Sequence, residues 1–496
     1  MEIFIFEKGC IIMKKIVSIV MSVILLLSLD SCKSPSNTVL TPTPTQSENT
    51  TPSKNNPFIP ESLEGMDFGG EEINFIMCGN IDSARNIHLP EGDDETYSVN
   101  VCVAYRNREM EKELNLKIGK SITLPPEEMT EHMRLFFASP DSTYDIVGAY
   151  ERYDLGLASG ETGSNFIDYA TIPEKDMHID LDGGNWDKNS YEALSVNGNY
   201  YWVTGLASLE RTKNTLVSFV NKTMWRENVD KINENLGYAE FQKLVDDGKW
   251  TYENAAKLGG IAAYELGNEK NTLASILMAG EGITLSKNGE PTLDADKLGA
   301  FADNLKTLFA DNGLFKSGIF DETSASSEIE HFSNGEAFIA FGKIEDSEFL
   351  HRYMRDDYYI APLPKSSESA PYRTSVQGNT NVFGILKTCE NVGAATAALE
   401  VMAYNTSYSA NYEYLSHCVR LCYCHDSDDM LYLALYSVYE VEYVTDLAIS
   451  CEGMLEEKIT DFINKNVHKD DFKSLLTDKK SSFDADFEKI KNKFLK

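Results

Sequence analysis

Beyond residue 57 the chain alternates between two hydrophobic periods. Residues 73–79 (INFIMCG) form a short apolar run closed by a glycine, which reads as a buried strand. Val99, Val103, Arg106, Met110 and Leu114 then recur at helical spacing, and residues 114–118 (LNLKI) alternate as a strand does. A second unit comes next, with a helix over 125–139 that turns Met133, Phe136 and Phe137 inward, and a strand over 144–150 (YDIVGAY). Strands that alternate with helices predict an α/β fold with a largely parallel sheet.

The middle of the chain carries further elements. Val196-Asn197-Gly198-Asn199-Tyr200 and Lys287-Asn288-Gly289-Glu290-Pro291 have hairpin-turn chemistry, with Asn-Gly between flanks suited to strands. Strands are expected at 216–220, 337–341, 358–362 and 382–386. Helices are expected after Asn221-Lys222, from Trp250 to about Gly267, and along Leu298, Phe301, Leu305, Leu308 and Phe309. From about residue 391 the pattern is mostly helical, and no repeat of solenoid length occurs.

The first 57 residues obey a different logic. Residues 16–29 are almost wholly apolar behind Met13-Lys14-Lys15. That run is shorter than the about 20 residues of a membrane-crossing helix, and its basic flank fits a secretory signal over 1–31 with Met13 as a candidate true start. Leu29-Asp30-Ser31-Cys32 resembles a bacterial lipobox, which implies lipidation of Cys32 and cleavage before it; Asp30 departs from the usual small residue. Residues 32–57 are rich in Ser, Thr, Pro and Asn, too polar to offset their ordering entropy, and read as a disordered tether. The lipobox reading implies an anchor of one lipid that does not span the bilayer; the alternatives are an ordinary secretory signal with an accidental cysteine, or a short transmembrane anchor.

Charge and cysteine content narrow the functional classes. The formal net charge is −33, and removing residues 1–31 takes away equal numbers of acids and bases. A surface this acidic repels phosphate backbones, which excludes nucleic acid as a partner. Nine cysteines without regular spacing do not make a disulfide framework. His417, Cys418, Cys422, Cys424 and His425 are close enough to suggest a metal site, a local disulfide or buried free thiols. The one-residue gap between Cys422 and Cys424 and the lack of a second ligand pair weigh against zinc. No nucleophile elbow, H-E-x-x-H helix or phosphate-binding loop occurs, so neither enzyme nor cofactor is expected.

Six short motifs fall in an order similar to that of extracellular solute-binding proteins of family 1, the sugar-binding group. They are Tyr144-Asp145-Ile146-Val147, the segment from Asn197 to Gly205 (NGNYYWVTG), Phe219-Val220-Asn221-Lys222, Trp250-Thr251, Phe332-Ser333-Asn334-Gly335-Glu336-Ala337, and Leu363-Pro364-Lys365 with Tyr372. Leu206 after Gly205 departs from a clostridial branch that often has an acid there. The resemblance covers roughly 70–450. It implies a two-lobed type II periplasmic-binding-protein fold, each lobe a doubly wound sheet flanked by helices, with a helical C-terminal region. Lobe 1 would hold 58–207 and 362–405, and lobe 2 would hold 208–361 and 406–496. Crossings are expected near 205–213, 358–364 and 404–408.

The function implied is capture of a mono- or oligosaccharide in the interlobe cleft and delivery to ABC permease subunits, by a monomer outside the cytoplasmic membrane. The alternatives are a partner of a sensor kinase, a peptide binder, or a glycan hydrolase with a carboxylate pair. Sugars want flat aromatic faces and planar polar side chains in a dry cleft. Candidates in loops past strands are Asn80, Tyr150, Glu151, Trp186, Trp202, Arg211, Glu281, Phe341 and Arg373.

Overall fold

In the computed structural model the described residues are 56, 58–80, 85, 87, 98–151, 157, 165–195, 198–264, 272–287, 290–308, 310, 312–315, 318–320, 328–376, 380–423, 428–446, 454–467 and 469–494. Chain contacts separate Met1–Lys54 from Asn55–Lys496. The first unit lies outside the described residues, and with it the signal, Cys32 and nearly all of the tether. The second unit holds both sheets and the helices that cover them.

The first sheet is built around β1 (Glu71–Cys78), whose inner half is fully buried. It pairs in parallel with β2 (Leu116–Leu124) on one side and β3 (Ile146–Tyr150) on the other. Next to β3 runs an antiparallel strand from far along the chain, Asn381–Ile385. Beyond that strand, Val203 forms an antiparallel bridge with Phe383, closed by two backbone bonds of 3.0 and 2.8 Å. Strands covered on both faces read as continuous apolar runs, which is why these segments were legible from sequence.

The second sheet repeats that order. Here β4 (Leu216–Asn221) is the antiparallel member, and all six of its residues are buried. The helix Tyr252–Leu258 then leads into β5 (Ala262–Tyr264), and β6 (Ser286–Lys287) and β7 (Glu290–Pro291) make the expected hairpin. β5 pairs in parallel with β8 (Gly318–Phe320), and Ile261 bridges in parallel to Ile339 at the start of β9 (Ile339–Lys343). β4 lies antiparallel to β9 and to β10 (Tyr358–Ala361). After β11 (Arg373–Thr374) the chain returns to the first sheet as β12, the strand 381–385. β13 (Glu442–Tyr443) comes last.

The strand orders are therefore β2-β1-β3-β12 with Val203 outermost, and β8-β5-β9-β4-β10. Each sheet takes its antiparallel strand from the segment entering from the other half, so neither half is a continuous stretch of chain.

Helices cover the sheets. Val392–Asn405 is buried along most of its length and packs with Ile73, Phe75, Phe383 and Ile385 of the first sheet. The helix continues without a break through π-helical turns at Thr406–Ala410 and Tyr414–Tyr423. There Tyr414, Leu415 and Val419 pack with Val217, Phe219 and Ile360 of the second sheet. Among the described residues, no helix is long and apolar enough to cross a membrane.

Two expectations need correction. The helix read from Trp250 to about Gly267 ends at Leu258, because Gly259 and Gly260 take φ of 68° and 66° and turn the chain into β5. An apolar run of that length fits helix or strand equally by pattern, and the two left-handed glycines decide it. The crossing placed at 358–364 begins later, since Tyr358–Ala361 is a strand of the second sheet. The hairpin expected at Val196-Asn197 and the helix end near Gly267 lie outside the described residues.

Candidate functional site

β12 enters the first sheet at Asn381, opposite Tyr150 at the carboxyl end of β3. β4 enters the second at Leu216, opposite Lys343 at the carboxyl end of β9, and β10 leaves it at Ala361. Both crossovers thus join the carboxyl edge of one sheet to the carboxyl edge of the other. Loops at such edges are where open α/β sheets bind ligands.

The crossovers are bonded to each other. Thr215 bridges antiparallel to Val376, the Leu216 N–H donates to the Ser375 carbonyl at 3.0 Å, and the Thr374 hydroxyl donates to the Leu216 carbonyl at 2.6 Å. A third strand joins them, since β13 pairs in parallel with β11 and Val444 N–H donates to Thr374 at 2.8 Å. These bonds tie the two crossovers and β13 into one ribbon.

On the first sheet's edge Asn381 is the knot. Its amide donates to the Cys78 carbonyl at 3.2 Å, its side-chain oxygen accepts from Ser208 at 3.2 Å, and its backbone carbonyl accepts from Thr204 at 2.9 Å. Beside it the Thr380 carbonyl accepts the Glu151 N–H at 3.0 Å, while the buried Thr380 hydroxyl has no partner among the described residues. Buried polar groups are nearly always paired, so this hydroxyl stands out at the first sheet's carboxyl edge.

The sequence candidates divide by location. Asn80 is exposed just past β1, and Tyr150 and Glu151 are buried at the end of β3, so these three share one edge with Thr380 and Asn381. Arg211 lies in the first crossover, its guanidinium 3.8 Å from the Tyr443 ring centroid and 3.8 Å from the Asp187 carboxylate. Arg373 opens the ribbon at β11, donates to Glu442 at 3.0 Å and packs its side chain against Gly282. Glu281, next to Gly282, accepts from Asn304; burial pushes its carboxyl up, and the Asn304 bond opposes this. Glu281 and Arg373 thus lie beside the ribbon, while Arg211 links the first crossover to Asp187 and Tyr443.

The other three aromatics sit deeper. Trp186 donates its indole N–H to Glu400 at 2.7 Å inside the first sheet's helical layer. Trp202 packs at 5.1 Å from Phe166, and its indole N–H is buried without a partner among the described residues. Phe341 is 5% exposed within β9. Of the cysteine cluster, Cys418 is buried and His417 pairs with Glu413 at 2.9 Å. The side chains of Cys422, Cys424 and His425 lie outside the described residues.

Sequence reading missed Thr380, Asn381, Tyr443 and the tail after it. Their chemistry is common, and only the strand exchange brings them to the edge.

No family model matches this chain, and no curated protein matches it. Solved structures do. It is similar to the sugar-binding protein MalE from Xanthomonas citri, at TM-score 0.50 and 11% identity, over 85% of this chain and 98% of that one. It is also similar to the cyclic alpha-maltosyl-1,6-maltose binding protein from Arthrobacter globiformis, at TM-score 0.50 and 11% identity, over 84% and 99%. UspC of M. tuberculosis gives TM-score 0.50 and 11% identity over 84% and 99%. The fold is therefore the two-lobed type II periplasmic-binding-protein fold, as the motif order implied.

Proposed function

We propose that this chain is the extracytoplasmic solute-binding lipoprotein of an ABC importer, which captures a mono- or oligosaccharide between its lobes and hands it to the permease unchanged. The observation that carries this reading is the joining of two like-ordered sheets, carboxyl edge to carboxyl edge, by a bonded ribbon. Such a frame has one motion that matters, closure about the ribbon, and only a guest touching both lobes favours it. Sugar binding by the MalE protein and by the Arthrobacter protein supports carbohydrate as the guest class. Lobe 1 is taken as 58–207 with 362–405, and lobe 2 as 208–361 with 406–496. The contact set is drawn from Asn80, Tyr150, Glu151, Arg211, Glu281 and Arg373.

Closure without chemistry needs no paired acid and base. The carboxylates near the ribbon are engaged with neighbours, Asp187 with Arg211 and Glu442 with Arg373. The signal and Cys32 supply export and anchoring, and the polar tether lets the body stand off the membrane as a monomer.

A thermal-shift screen of the body against a glycan library tests the substrate class. A ligand at 100 times its Kd adds about 2.7 kcal/mol of stability. Stabilisation by a peptide and by no sugar would overturn the carbohydrate reading. Anchoring is tested separately, because Cys32→Ser should release the exported protein into the soluble fraction and abolish incorporation of labelled acyl chains.

A further inference from the structure

The tail beyond the helix Asp428–Tyr439 does more than complete the ribbon. Tyr443 donates or accepts a hydrogen bond with the Thr215 hydroxyl at 2.8 Å and carries the Arg211 guanidinium on its ring. Two residues on, the Thr445 hydroxyl bonds Ser190, which also donates to Asp187. Asp446 accepts from the Leu285 N–H and the Ser286 hydroxyl. Both Ser190 and Asp446 are buried, so these bonds are sheltered from competing water.

The two anchors belong to different halves. Ser190 sits in the helix Lys188–Ala193, whose Tyr191 packs with the core of the first sheet and stacks on Tyr200 at 4.5 Å. Leu285 follows the helix Thr272–Glu281, which lies against β9 of the second sheet, and its carbonyl accepts the Thr292 N–H at 2.9 Å. Thr445 and Asp446 are consecutive, with Cα atoms about 3.8 Å apart. The surfaces around Ser190 and Leu285 are therefore held within two side-chain lengths of each other. A rotation that parts them must break one set of bonds or the other.

We propose that residues 442–446 are a built-in brace that holds the two lobes at the mutual angle seen here, before any guest binds. This rests on the two-lobed reading and adds a regulator to it. Tyr443 fixes the brace to the crossover, Thr445 to lobe 1 and Asp446 to lobe 2. A guest then meets a frame whose angle is already set and spends less of its binding energy on setting it.

The test uses the full body without its signal and needs no sugar. Thr445→Val removes one hydroxyl, Ser190→Ala removes its partner, and Tyr443→Phe keeps the ring on Arg211 while losing the bond to Thr215. Small-angle X-ray scattering of the ligand-free variants should show a larger radius of gyration than wild type. The ratio of opened to closed form should rise about two- to tenfold for one lost hydrogen bond. The Ser190→Ala/Thr445→Val double variant should match Ser190→Ala alone, since both substitutions break the Ser190–Thr445 bond and only Ser190→Ala also loses the bond to Asp187. Variants that melt earlier yet scatter as wild type does would overturn the brace and leave a merely structural contact. Should Thr445→Val fail to fold, Tyr443→Phe decides by the same scattering criterion. Because this arm involves no ligand, its failure is distinct from failure of the carbohydrate reading. Once a glycan is known, the open variants should bind it more weakly by the same factor and regain the wild-type profile when saturated.

Discussion

The indole N–H of Trp186 donates to Oε2 of Glu400 at 2.7 Å, with both side chains buried. Glu400 also accepts the Asp180 N–H at 3.1 Å, so one carboxylate ties the loop before the crossover to the helix Val392–Asn405. Replacing it with alanine orphans the buried Trp186 N–H, at about 1–3 kcal/mol, and also releases the Asp180 N–H, a part-buried bond worth about 1 kcal/mol. Glu400→Ala should therefore lose about 2–4 kcal/mol, measured from urea midpoints. Glu400→Gln keeps an acceptor and should lose about 1 kcal/mol. Trp186→Phe should lower stability while leaving ligand affinity within about twofold. A large loss of affinity would place Trp186 in the binding surface after all.

Gly205 ends the NGNYYWVTG motif for a steric reason. A Cβ there would lie 2.4 Å from the Asn185 carbonyl oxygen and 2.7 Å from the Trp186 Cα, both backbone atoms that a rotamer change cannot move. The same approach allows the antiparallel bridge between Trp186 and Gly205 and the 2.8 Å bond from Leu206 to Asn185. Overpacking costs about 1–3 kcal/mol, and Gly205→Ala should fall in that range by chemical denaturation. A neutral substitution would show that this crossover is looser than described.

These two positions show what was legible in the sequence. Strands buried on both faces, such as Val147 to Tyr150 and Val382 to Ile385, announce themselves as apolar runs, and the motif order placed them in one fold. The run after Gly260 did not, since its composition suits either period and the deciding factor is backbone φ. The site was legible only in part. Asn80 and Glu151 could be placed at the first sheet's carboxyl edge because they follow strands, a local signal. Trp186 and Trp202 carried the same aromatic signal but were drawn into the core by Glu400 and Phe166. Residues 442–446 (EYVTD) gave no signal at all, because their partners at 190, 215 and 285 are remote in sequence.

Asp346 makes the second half sensitive to pH. Burial is the main reason its carboxyl is raised to about 6, against the bond it accepts from the Lys343 N–H at 2.8 Å. A carboxyl raised on folding contributes stability that is present below its ordinary value and lost as pH rises through about 6. A shift of this size corresponds to about 3 kcal/mol if the group were fully sealed. The residue keeps some contact with solvent, so about 1–2 kcal/mol is expected. Asp346→Asn should therefore be more stable than wild type by that amount at a pH of about 7.5 and equal to it near pH ~4. An unchanged difference across the range would remove Asp346 as the source.

Thr380 poses the sharpest question about the cleft. Its hydroxyl is buried and unpaired among the described residues, beside Glu151 and Asn381 at the first sheet's carboxyl edge. An unmade buried hydrogen bond costs about 1–3 kcal/mol, and Thr380→Val removes the hydroxyl with little change of shape. If the hydroxyl awaits a guest, the variant should gain about 1 kcal/mol of stability without ligand and bind the ligand about five- to tenfold more weakly. Function held at the expense of stability is the expected signature of a binding position. Urea midpoints and titration calorimetry read the two effects independently. A variant that gains stability with unchanged affinity would leave Thr380 as a packing defect outside the guest's reach, and one that loses stability would mean the hydroxyl is already bonded.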